Sequence, residues 1–462
     1  MGVVKRLARL NFEKRLVKIM RAEAPSLFGT RAPTRSDIER YHFNKLQAVL
    51  RYAAGNSSFY RELFKNAGVS PDDINTLADI EKLPLTEPEQ VAAAPFRFLC
   101  QSRSEIARVH NFVTSGTTGP RKKISWTQND LDRIIRFLAV GISTVAKRGD
   151  VVDIWLPGGL PYGQSDLLAR GVKKIGAMPV VAPMDISSED HLRLITESRA
   201  TVIFGPTRRV FRLTRELQDS HDLSRLEVHT LFLTAEYLPD KARADLQKIW
   251  NCRVTTHYGL TEMGLGVAVE CEAGDGYHFN EADLLLEIID PETGRPVAPG
   301  NEGELVFTTL TREEMPLIRY RTRDVSRLIT EPCSCGAKAI GKFAAIRKRI
   351  GVITRLAGGE EIYPSLFDDA LMDMSGFVDY QSSLERREDR EILRFRVELN
   401  PADPEKIHEI RKRLLDVPAL AKNLQTGAMS EPLIEIAAPG ELRGTAAGKM
   451  RITDLTTLPC KD

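Results

Sequence analysis

The sequence predicts an α/β fold in two parts, a large N-terminal doubly wound α/β domain over 1–347 and a small C-terminal α+β domain over 348–462. Three observations predict it. From Val151 onward, short apolar runs alternate with amphipathic helical segments, the signature of parallel strands crossed over by helices. Near Lys348 that alternation stops and strand–helix–strand patterning of a different length begins. A chain of 462 residues also exceeds what one hydrophobic core usually supports.

Met1–Arg21 reads as a basic amphipathic helix, with Leu7, Leu10, Leu16 and Met20 set against Arg6, Arg9, Lys14 and Lys18, suited to docking on the body or a partner subunit, or to lying on an anionic membrane. Residues 35–70 carry Tyr41, Leu46, Leu50, Phe59, Leu63 and Phe64 at helical intervals, interrupted at Gly55-Asn56. Strands are expected at Val151–Trp155, Met178–Val181, Thr201–Phe204 and Leu231–Leu233, with helices over 164–175, 187–198, 207–218 and 240–250. In the C-terminal part, Glu391–Leu399 and Leu433–Ile436 read as strands and Pro404–Leu415 as a helix. Ligands of doubly wound sheets bind beyond the carboxyl ends of the strands, which draws attention to Thr234-Ala235-Glu236 and His257-Tyr258-Gly259.

Composition narrows the function. A formal net charge of +2 and 42% hydrophobic residues demand neither nucleic acid nor membrane as a partner. No apolar run is long enough to span a bilayer, and no secretory h-region opens the chain, so a cytoplasmic location is expected. Homodimerisation is left open.

The segment Thr114-Ser115-Gly116-Thr117-Thr118-Gly119-Pro120-Arg121-Lys122-Lys123 describes a polyphosphate loop. Its glycines allow close backbone approach, its hydroxyls donate, and its cations offset charge. The spacing is not that of a Walker A motif. The segment resembles the phosphate loop of the adenylate-forming superfamily of acyl-CoA synthetases, adenylation domains and luciferases, in particular the phenylacetate-CoA ligase-like branch. Three further segments follow in that family's order: His257-Tyr258-Gly259-Leu260-Thr261-Glu262, Arg319-Tyr320-Arg321-Thr322-Arg323-Asp324, and Gly448-Lys449-Met450-Arg451.

The resemblance implies an adenylation domain with a mobile C-terminal domain, ATP-dependent activation of a small carboxylic acid to an acyl-adenylate, and transfer to CoA. It implies that Thr114 to Gly119 cradle phosphates, that Ala235, Glu236, Tyr258 and Gly259 surround adenine, and that Asp324 binds the ribose. Thr261 would meet the α-phosphate, Glu262 would hold Mg²⁺, and Lys449 would reach the carboxylate and α-phosphate. The family's hinge element G-R-x-D is replaced here by Arg349-Ile350-Gly351-Val352-Ile353. That departure leaves adenylation untouched and keeps an amine, or another acceptor of AMP, in play beside CoA. A catalytically silent binding protein of the same fold is the third reading.

Six cysteines are too few for a disulfide scaffold in so long a chain. Cys271 and His278 flank a glycine-containing turn, and Cys333-Ser334-Cys335-Gly336 is a C-x-C-G knuckle. Three thiolates and an imidazole would make a closed, structural Zn²⁺ site. Relatives in the resembling branch pair segments of this kind. Reduced structural or surface thiols are the alternative. His257 either lines an acyl pocket or is a satisfied core histidine.

Overall fold

A computed structural model describes residues 12–29, 31–112, 122–387, 390–443 and 452–455. The α/β class holds, and each predicted strand and helix between 151 and 250 is present to within one or two residues. The chain divides into two compact units, one combining residues up to 184 with 255–345, the other combining 185–254 with 346 onward.

Local sequence explains the helices of the first unit. Thr34 and Asp37 form a reciprocal capping box at the start of helix Arg35–Asn56, and Thr127 and Asp130 do the same for helix Gln128–Ile142. The expected break near Gly55-Asn56 falls at Ser57, whose side chain caps the next helix, Ser58–Ala67. Helix Phe12–Glu23 buries Phe12, Leu16, Val17, Ile19 and Met20, with Phe12 set edge-on to Phe137. Its described part is therefore docked on the body. The parallel strands Val151–Ile154 and Met178–Val181 are joined through helix Gln164–Lys174. Gly171 lets that helix approach Gln128–Ile142 closely, since a Cβ there would lie 3.1 Å from the Ala139 backbone nitrogen.

Strands Leu284–Ile289, Gly303–Thr309 and Tyr320–Ser326 pair antiparallel. A second antiparallel set runs from His257-Tyr258 through Ala268–Glu270 and Tyr277–Phe279 to Lys342–Phe343. A hairpin of Arg108–Phe112 with Lys122–Trp126 closes in register, Phe112 opposite Lys122, so the phosphate-loop residues connect its two strand ends.

In the second unit, strands Val202–Pro206 and Thr230–Thr234 are parallel and fully buried, joined through helix Thr207–Leu217. A four-stranded sheet has the order Leu433–Ala437, Arg390–Leu399, Phe377–Arg387, Ile452–Asp454. Helix Thr207–Leu217 presents Arg208, Arg212 and Arg215 at i, i+4 and i+7, and all three are buried. Arg208 pairs with Asp368 and lies 2.6 Å from Asp379, while Arg212 lies 2.7 Å from Glu398 and 3.2 Å from Asp379. Tyr380 donates to Asp368 at 3.1 Å beneath the Arg208 guanidinium.

Removing one partner from such a network leaves the others buried and uncompensated. Arg208→Met should therefore lower the unfolding free energy by about 3–5 kcal/mol, measured by denaturant titration. A loss below about 1 kcal/mol, the size of an exposed pair, would show that the network does not hold this unit together.

Candidate active site

The hairpin strand Lys122–Trp126 carries alternate side chains to opposite faces. Lys122 is buried, and its ammonium donates to Glu262 Oε1 at 2.9 Å and to the Tyr320 hydroxyl at 2.7 Å. Tyr320 in turn donates to the same Oε1 at 2.8 Å. Glu262 sits in the 3₁₀ turn Thr261–Met263, closed by Gly264 in a left-handed conformation. Burial alone would raise the Glu262 pKa, but the adjacent Lys122 ammonium and the Tyr320 hydroxyl outweigh it and hold the carboxyl below its ordinary value. Arg312 supports the turn from behind, donating to the Glu262 backbone carbonyl at 2.6 Å with its guanidinium 4.2 Å from the Trp126 ring centroid.

Tyr258 donates its hydroxyl proton to Asp324 Oδ2 at 2.6 Å, so the residue expected at adenine and the residue expected at ribose are bonded to each other. The Tyr258 ring is fixed edge-on against Phe343. Asp324 lies inside a strand, Tyr320–Ser326. That strand's alternation explains the whole motif: Tyr320, Thr322 and Asp324 are buried on one face, while Arg321 and Arg323 reach Glu304 and Glu87 on the other. Gly259 admits no side chain, because a Cβ there would lie 2.5 Å from the Leu265 carbonyl oxygen. His257 is desolvated, which pushes its pKa down to about 4 and keeps its ring neutral at pH 7.

In the second unit, Ala235 takes a left-handed backbone conformation at φ 76°, and Thr207 donates its hydroxyl to the carbonyl oxygens of Thr234 and Glu236. A non-glycine residue held there is a local strain of the kind that collects at functional loops. Thr114, Ser115, Gly116, Thr117, Thr118, Gly119 and Lys449 lie outside the described residues.

The four predicted zinc ligands do come together. One donor atom from each of Cys271, His278, Cys333 and Cys335 lies within 4.8 Å of the other three. Cys271 and Cys333 sulfurs are 3.4 Å apart, and Cys335 sulfur is 3.4 Å from His278 Nε2. The His278 Nδ1 position lies 2.9 Å from the Gly341 carbonyl oxygen, which fixes Nδ1 as the protonated nitrogen and points the Nε2 lone pair into the cluster.

Tyr320 and Arg312 escaped the sequence reading, and Lys122 was read only as a phosphate counter-charge. The strand alternation around Lys122 and Tyr320 was the available signal, since it puts both on buried faces.

Comparison with known proteins agrees with this geometry. The family model for AMP-binding enzymes matches residues 104–310. A phenylacetate-coenzyme A ligase of Aromatoleum evansii is 32% identical over 403 residues, covering 85% of this chain and 87% of its own. The chain belongs to the phenylacetate-CoA ligase family. It is therefore an AMP-forming acid–CoA ligase, which activates a carboxylic acid with ATP and passes the acyl group to CoA. The Escherichia coli (strain K12) phenylacetate-coenzyme A ligase is 30% identical over 384 residues, covering 81% of this chain and 85% of that one. Among solved structures, a 2-hydroxyisobutyryl-CoA ligase in the postadenylation state, in complex with 2-HIB-AMP, shares the fold at TM-score 0.75 and 22% identity, covering 88% of this chain and 87% of that chain. CoA thus takes the acceptor's place that the missing hinge aspartate had left open. No helix among the described residues is long and apolar enough to cross a membrane.

Lys122→Met would leave the Glu262 carboxylate buried without its cation. ATP–pyrophosphate exchange should fall by about a hundredfold or more, by analogy with removing one preorganised electrostatic group. Because the folded-state pKa of Glu262 is depressed, its pairing stabilises the fold above the ordinary value of 4.5 and that contribution is lost as pH falls through the folded value. The stability difference between wild type and Lys122→Met should accordingly be largest near neutral pH and shrink on acidification below about 4.5. A difference that stays constant with pH would refute the pairing.

Proposed function

We propose that this ligase activates an aryl acid of the phenylacetate class, with its ATP site built from the four motifs. The observation that carries the site assignment is the joining of Lys122 to Glu262 and Tyr320, residues 140 and 198 positions away, beside the Tyr258–Asp324 bond. The family's phenylacetate-directed relatives support the acid class.

In this reading Asp324, oriented by the Tyr258 hydroxyl, accepts the ribose hydroxyls, while Tyr258, Gly259, Ala235 and Glu236 border adenine. Thr114 to Gly119 donate to the phosphates, and Thr261 donates to an α-phosphate oxygen. The Glu262 carboxylate, kept ionised by Lys122, is the hard oxygen donor suited to Mg²⁺, which when bound supplies charge neutralisation for the leaving pyrophosphate. A substrate carboxylate oxygen attacks the α-phosphorus, the bond to the β-phosphate oxygen breaks, and pyrophosphate departs. Lys449 offsets the negative charge that grows as these two anionic groups converge. The CoA sulfur then attacks the acyl carbon, its proton passes to solvent, and AMP leaves with the bonding electron pair. Exchange assays across a panel of carboxylic acids test the substrate class; preference for a short aliphatic acid over aryl acetates would overturn it.

Cys271, His278, Cys333 and Cys335 would hold a structural Zn²⁺, since a set of three sulfurs and one oriented imidazole nitrogen within 4.8 Å suits that ion. Elemental analysis of the isolated protein should return one zinc per chain, and chelation should lower the melting temperature before it affects exchange. Disulfides among these cysteines, or no metal, would refute the site.

Lys449→Ala should reduce ATP–pyrophosphate exchange by about a hundredfold or more, because its cation matters most where charge develops in the transition state. Thioester formation from supplied acyl-adenylate should survive, since that step starts with the α-phosphate already esterified. Equal loss in both half-reactions would remove Lys449 from its adenylation role.

A further inference from the structure

Consecutive residues on a strand face opposite ways, and Lys122 and Lys123 divide accordingly. Lys122 turns inward to Glu262, whereas Lys123 is exposed on the outer face of the same strand. There it borders a recess of about 460 Å³ whose wall is made by residues 92–97. Phe96 stands in that wall and is 45% exposed, although a large aromatic ring is ordinarily withdrawn from water. The Arg103 guanidinium lies 4.5 Å from the Phe96 ring centroid and the Lys123 ammonium 5.8 Å from it. Both distances fall within cation–π range. Arg97, paired at 2.6 Å with the exposed Glu62, adds a third cation at the rim.

An exposed flat ring flanked by cations beside a concavity is the equipment for a nucleotide. The ring offers a stacking face to a purine, and the cations pair with phosphates. The recess also has the volume of an ordinary small-molecule site. The sequence motifs put ATP on the inner side of the strand, around Glu262 and Asp324. The reaction's second adenine nucleotide is CoA, whose nucleotide end carries a 3′-phosphate and a pyrophosphate and whose flexible pantetheine arm carries the thiol away from them. We infer that the recess binds the 3′-phosphoadenosine diphosphate end of CoA, with adenine against Phe96 and the phosphates drawn to Arg103, Lys123 and Arg97. The assignment rests on CoA being the acyl acceptor. One strand then serves both nucleotides, and adjacent lysines on its two faces, about 3.3 Å apart along the chain, sort them.

The test uses the intact enzyme with Phe96→Ala and Arg103→Ala, neither of which touches the ATP motifs. Steady-state thioester formation is measured with CoA and with pantetheine, which keeps the thiol but lacks the nucleotide, and ATP–pyrophosphate exchange is followed in parallel. Phe96→Ala should raise KM for CoA by roughly tenfold to a hundredfold, the loss expected for one base-stacking contact, and Arg103→Ala should raise it through the lost phosphate contact. Exchange and the KM for pantetheine should stay unchanged. Unchanged KM for CoA in both variants would overturn the site, as would an equal rise for pantetheine. A wild-type enzyme that performs exchange but forms no thioester with CoA would instead overturn the acceptor reading on which the site rests.

Discussion

A buried ammonium ties together three segments of the first unit. Lys122 is sealed from water between the Glu262 carboxylate and the Tyr320 hydroxyl. An unpaired charge in such a place would cost several kcal/mol, so the pairing is strongly enforced once any part of it forms. It fastens strand Lys122–Trp126 to the 3₁₀ turn Thr261–Met263 and to strand Tyr320–Ser326. Because Phe112 and Lys122 are register partners, fixing Lys122 also fixes the position from which the phosphate-loop residues depart. The choice of lysine fits the geometry: a compact charge with rotatable donors can sit between two oxygens, where a planar guanidinium would need a wider fork.

The fold was legible because its signals are local. Short apolar runs and helical spacing located the strands and helices between 151 and 250, and Thr34 with Asp37 and Thr127 with Asp130 are capping patterns visible in the sequence alone. What the sequence could not convey was partnership at long range. Arg208, Arg212 and Arg215 lie on one helix face at a spacing that usually marks a solvated surface, yet all three are buried, Arg208 and Arg212 against carboxylates that arrive from 160 and 186 residues away. Tyr320 was invisible for the same reason. Its phenol matters only because the strand from Tyr320 to Ser326 turns that face toward Glu262.

The cysteine cluster falls between these cases. Its two halves are each readable as short motifs, but only pairing of strand Tyr277–Phe279 with Lys342–Phe343 brings the knuckle to His278. The backbone then does a second task there, since the Gly341 carbonyl that fixes the imidazole tautomer comes from the residue just before that strand. A structural metal at this point would fasten the strand pair next to the Tyr258 ring, which packs on Phe343.

These contacts share one logic, which is that the groups proposed to meet ligands are already engaged with each other. Tyr258 spends its proton on Asp324, and Glu262 takes both Lys122 and Tyr320. If these carboxylates serve ATP as proposed, they are held in place before it arrives, and little reorganisation is left for the moment of reaction. The same arrangement limits how far a single residue can be exchanged. Tyr258→Phe would keep the ring but remove the hydroxyl that donates to Asp324 Oδ2; the expected result is weaker nucleotide binding with the aromatic wall still in place. Function and stability are thus written into the same few hydrogen bonds, and a substitution that spares the shape of the site still disturbs the charge state on which its chemistry depends.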